Sequence, residues 1–171
     1  DFPTYLKSID HLLAKNFTST ENDFIDFKRE PLLEHSISRK GPFLTQGDVN
    51  GDGLEDFYIG GGSGSSGTLY MQNSNGTFAQ KKVPAFEADK ASEDMQSVFA
   101  DFNGDGNLDL YVVSGGYEFA VVSELYQDRV YLSDGTGNFS REASFLKDMF
   151  WNATTVAAHD FDGDGDVDLF V

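Results

Sequence analysis

The sequence predicts an all-β fold built from repeated four-stranded units. Three observations predict it: an acidic, glycine-rich loop that recurs three times, strand-like runs flanking every copy, and a glycine-tipped hairpin after each complete copy. The loops read Asp48-Val-Asn-Gly-Asp-Gly-Leu-Glu-Asp56, Asp101-Phe-Asn-Gly-Asp-Gly-Asn-Leu-Asp109 and Asp160-Phe-Asp-Gly-Asp-Gly-Asp-Val-Asp168. Successive copies start 53 and 59 residues apart. That spacing suits one four-stranded blade of a β-propeller and is too long for most helical repeats.

The elements follow in order. Residues 1–40 do not match the repeat. They open with Tyr5, Leu6, Ile9, Leu12 and Leu13 at helical three-and-four spacing, and Phe24 to Phe27 then alternates like a strand. This segment is expected to be a short helix plus a strand that closes a blade edge, because exposed edges invite unwanted pairing. The propeller portion is expected over 41–171. Residues 42–46, 97–100 and 154–158 form the strand before each loop, and residues 57–60, 110–114 and 169–171 the β-branched and aromatic strand after it. Residues 68–72 and 129–133 give a third strand, and the tips Asn-Ser-Asn-Gly and Asp-Gly-Thr-Gly turn it into a fourth at Phe78 and Phe139. The third unit stops at Val171 after its second strand, so a truncated third blade and a partial propeller are expected.

The loops carry the chemistry. Asp and Glu outnumber Lys and Arg by 29 to 12, a formal charge of -17, which repels phosphate backbones and argues against a nucleic-acid partner. Eleven of the aspartates sit in the three loops, so the excess is aimed at cations. Calcium takes six to eight oxygens, and carboxylate or amide oxygens at positions 1, 3 and 5 of a tight loop converge on one point. The expected ligands are Asp48, Asn50, Asp52 and Asp56; Asp101, Asn103, Asp105 and Asp109; and Asp160, Asp162, Asp164 and Asp168. Position 7 adds its backbone carbonyl, from Leu54, Asn107 and Asp166. Zinc prefers nitrogen and sulfur, which these loops lack, and magnesium demands a stricter octahedron. An EF-hand needs Glu at position 12, where Ile59, Val112 and Val171 stand. One Ca2+ per loop, about three in all, is the expectation.

Other features point to no reaction. The chain has no Cys, and its three histidines, His11, His35 and His159, are scattered. No apolar run is long enough to cross a bilayer. Gly62-Ser-Gly-Ser-Ser-Gly67 spells a dinucleotide motif, but such a site needs a helix after it and Thr68 opens a strand. Trp151, Phe150, Tyr117 and Phe119 are expected to pack in the core in preference to forming a ligand patch.

The pattern D-x-[ND]-G-D-G-x-x-D, followed by an apolar strand and a Gly-rich turn, resembles the FG-GAP/VCBS repeats of integrin α-chain propellers and of many secreted bacterial proteins. The resemblance covers roughly residues 41–171 and implies a larger, seven-bladed domain whose loops bind calcium at the rim. The stretch from Glu21 to Leu33, with Gly41-Pro42, looks like bacterial surface members with an ASPIC/UnbV-type C-terminal region. The phenylalanine-glycine and glycine-alanine-proline signatures are poorly kept, so integrin-like ligand recognition is not implied. The resulting expectation is a non-catalytic, extracellular or cell-surface module that binds a protein or glycan. The alternative is part of a calcium-dependent polysaccharide lyase or related propeller enzyme.

Overall fold

A computed structural model describes residues 8, 10–15, 17–34, 36, 38, 40–120, 122–147 and 149–171. The first sheet is antiparallel, with β1 (Leu44–Gly47), β2 (Asp56–Ile59), β3 (Thr68–Gln72) and β4 (Phe78–Lys81) side by side in chain order. The second repeats it with β5 (Asp94–Ala100), β6 (Asp109–Ser114), β7 (Arg129–Ser133) and β8 (Phe139–Glu142). The third pairs β9 (Ala157–His159) with β10 (Asp168–Phe170). These are β-propeller blades, and each predicted strand pair is present, with bounds within a few residues of those read from the sequence.

The blades stack through alternation along one strand. Every residue of β6 is buried. Leu110 and Val112 face the first sheet, packing with Tyr58, Leu69 and Tyr131, whereas Tyr111 and Val113 pack with Met95, Val130 and Val156 towards the third. Period-two geometry sends neighbours to opposite faces, so one strand serves two interfaces. Between the first two sheets lies α2 (Pro84–Ala88), which the sequence reading missed; at five residues it is too short to show a helical period. Its Phe86 ring meets Tyr58 edge-on at 5.2 Å and Tyr131 at 4.9 Å, filling the gap between sheets.

The N-terminal segment corrects one expectation. Residues 24–27 do not form a strand: Asp26–Arg29 is a single helical turn, α1. The Asp26 carboxylate, 1% exposed, accepts hydrogen bonds from the backbone N–H of Ser38 and the hydroxyls of Ser36 and Ser38, which anchors a turn where a strand would carry Asp26 into a ladder. Tyr5, Leu6 and Ile9 of the predicted helix, and His35, lie outside the described residues; Asp10–Leu12 is a short 3-10 turn. Leu13 then bridges Phe78 at the open edge of β4, and Ala14 donates its N–H to the Phe78 carbonyl at 2.9 Å.

Candidate metal centres

Each acidic loop joins the first strand of a sheet to the second, and the register closes on the loop's own last residue: Gly47 opposite Asp56, Ala100 opposite Asp109, His159 opposite Asp168. Both glycines of every loop adopt positive φ, from 71° at Gly51 to 97° at Gly165, which lets the backbone curl around the side chains of positions 1, 3 and 5.

The curl is held by hydrogen bonds that repeat in all three copies. In the first loop Asp48 accepts N–H groups from Asp52 at 3.1 Å and Gly53 at 2.8 Å, Asn50 Oδ1 accepts from Asp52 at 3.0 Å, and Asp52 accepts from Leu54 at 2.9 Å. In the second, Asp101 accepts from Asp105 and Gly106, Asn103 from Asp105, and Asp105 from Asn107. In the third, Asp160 accepts from Asp164 and Gly165, Asp162 from Asp164, and Asp164 from Asp166. Each N–H occupies one lone pair of an oxygen that carries two. The position 7 residues Leu54, Asn107 and Asp166 thus enter through backbone N–H bonds to position 5.

Position 9 does something the sequence reading did not foresee. Asp56 and Asp109 are fully buried, and each carboxylate ties three pieces of chain. Asp56 accepts the N–H of Val49 in the loop and of Gln72 on the third strand; Asp109 accepts those of Phe102 and Ser133 in the same way. Asp168 accepts from Phe161 at 3.0 Å.

Electrostatics separates the positions. Burial raises the carboxyls of Asp56 and Asp109; backbone N–H donors oppose the rise, and the neighbouring loop carboxylates add to it. At Asp48 burial pushes up, but the N–H groups of Gly53, Asp52, Gly51 and Asn50 together outweigh it and hold the group low. Asp105 is held low by the Asn107 N–H and the Asn103 side chain.

A cation fits this donor set. In the third loop, oxygens of Asp160, Asp162 and Asp168 lie within 4.8 Å of one another. Opposed ligands of a calcium ion stand about 5 Å apart, so three such oxygens fit one coordination sphere. The first two loops have the same trace with Asn at position 3, where an amide oxygen replaces a carboxylate. The donors are all oxygen, the preference of a hard cation.

The repeats match the model of the FG-GAP-like repeat over residues 48–112 and 115–171. The chain belongs to that family. FG-GAP repeats here keep their acidic loops on one end of each blade, with strand pairing on both sides. The chain is also 30% identical over 135 residues to a protein of Plasmodium falciparum (isolate 3D7) named T-cell immunomodulatory protein homolog, a match covering 72% of this chain and 18% of that protein. This chain therefore spans less than a fifth of that relative.

The remaining motifs resolve as structure. Residues 62–67 connect β2 to β3 and no helix follows. A side chain on Gly67 would stand 1.9 Å from the Tyr58 hydroxyl oxygen, so this glycine serves close packing. Trp151 is 57% exposed, against the core packing expected of it, while Phe119 packs edge-on against Tyr126 and Tyr117 lies under the Arg29 guanidinium. His159 stacks edge-on with Phe161. No helix among the described residues is long and apolar enough to cross a membrane.

Proposed function

We propose that the chain is a calcium-stabilised binding module of an extracellular or cell-surface protein, engaging a protein or glycan through loops at one end of its blades and catalysing no reaction. Each loop holds one Ca2+, through the side chains of Asp48, Asn50, Asp52 and Asp56, of Asp101, Asn103, Asp105 and Asp109, and of Asp160, Asp162, Asp164 and Asp168. Position 7, at Leu54, Asn107 and Asp166, gives a carbonyl oxygen. The observation that carries this reading is the convergence of three carboxylate oxygens within 4.8 Å in the third loop, on a trace shared by the other two. Removing the ion leaves like charges crowded together, so the metal acts as a staple between the first and second strands. A relative named for T-cell immunomodulation supports a role exerted by contact with a partner.

Titration calorimetry on chelator-stripped protein tests it. About three calcium ions should bind per chain. Absence of calcium heat, or a preference for zinc, would overturn the reading.

A further inference from the structure

Glu93 lies at the seam of the first two blades with only 2% of its surface exposed. Its Oε2 accepts the N–H of Ser63, in the connection between β2 and β3, at 2.5 Å, and its carbonyl accepts the N–H of Gly115, just past β6, at 3.1 Å. Asp94 extends the seam: its N–H reaches the Gly61 carbonyl at 3.0 Å, and its Oδ2 accepts from Gly61 and from the Tyr58 hydroxyl. The N-terminal segment closes over the same place. A Cβ on Gly62 would stand 2.7 Å from a Glu21 carboxylate oxygen and 2.8 Å from the Thr20 carbonyl. A Cβ on Gly116 would stand 3.2 Å from Glu93 Cγ and 3.3 Å from a Glu118 carboxylate oxygen.

The charges at this seam are unequal. Asp94 is neutralised by Arg129, at 2.5 Å. Glu93 accepts from the neutral N–H of Ser63 and faces Glu118 from the connection after β6, Glu21 from the N-terminal segment and Asp94, its neighbour at the start of β5. Lys90, in the turn before it, is engaged with Glu87 at the surface.

We propose that Glu93 is a proton-operated fastener joining the first blade, the second blade and the N-terminal segment, closed when its carboxyl carries a proton and loosened when it ionises. Ionisation would place an uncompensated charge in a buried seam already ringed by carboxylates. In accord with this, burial pushes the Glu93 carboxyl up to about 8; the Ser63 N–H opposes the rise, and Glu118, Glu21 and Asp94 reinforce it. The folded chain then holds this proton more tightly than the unfolded one. Stability from this group is present in full below the ordinary Glu value of 4.5 and is lost as pH rises through about 8.

Thermal unfolding of the full chain in fixed excess calcium, from about pH 5 to 9, compares the native protein with Glu93→Gln. The native melting temperature should fall across that interval by at least about 3 °C more than that of the variant. Parallel curves would overturn the proposal. Should Glu93→Gln fail to fold, the Ser63 amide resonance of the native protein reports the same titration: a midpoint near 8 supports the fastener, and one near 4.5 overturns it.

Discussion

The Arg129 guanidinium lies 2.5 Å from the Asp94 carboxylate, with both side chains only 3% exposed. Burial of each charge is tolerated because the other donors are in place: Arg129 Nε also bonds Ser114 Oγ, and Asp94 takes hydrogen bonds from Tyr58 and Gly61 of the neighbouring blade. Arg129→Met would strand the Asp94 charge at the inter-blade seam. Breaking a buried pair by removing one partner costs about 3–5 kcal/mol. Urea unfolding should show a loss of that size; a loss under about 1 kcal/mol would mean that Tyr58 and Gly61 satisfy Asp94 without Arg129.

Two aspartates of the second loop should respond differently to metal. Asp105 is exposed and its hydrogen bonds are local, so Asp105→Ala should lower the melting temperature in calcium and barely change it in chelator. If a site binds at roughly 10–100 μM and calcium is near 1 mM, mass action is worth roughly 1.5–3 kcal/mol per site. Asp109→Ala should destabilise in both conditions, because it unfastens Phe102 and Ser133 whether or not an ion is bound. Scanning calorimetry with and without chelator distinguishes them. Identical behaviour of the two variants would contradict this division of labour.

Glycine substitutions separate contact from conformation. Gly67→Ala drives a methyl into the Tyr58 ring and should cost on the order of 1–3 kcal/mol, by overpacking. Gly64→Ala, at φ 92° with open space around it, should cost only about 1 kcal/mol, through backbone strain. Equal losses by urea unfolding would show that Tyr58 moves aside.

What the sequence displayed was local. The loops announce themselves because Asp, Asn and Gly must fall at fixed positions, and the strands because β-branched and aromatic residues cluster beside them. What it hid depends on distant partners. Nothing adjacent to Glu93 signals burial against Ser63, thirty residues away, nor does Arg129 advertise Asp94. Phe24 to Phe27 alternates like a strand, yet Asp26 is claimed by Ser36 and Ser38, and hydrogen bonding decides the turn. The role of position 9 as the bolt that reaches the third strand was not legible, since Gln72 and Ser133 lie well beyond the loop.

The two ends of the blades differ in how much their connections vary in length from blade to blade. At one end the acidic connection has the same length in every blade, curled by backbone N–H groups that donate to Asp48, Asp101 and Asp160. At the other, the link from the second strand to the third spans 60–67 in one blade and 115–128 in the next, without disturbing the register of either sheet. An engineer grafting a new recognition loop should therefore cut near Val122, exposed in the middle of the longer link, and leave the acidic end intact.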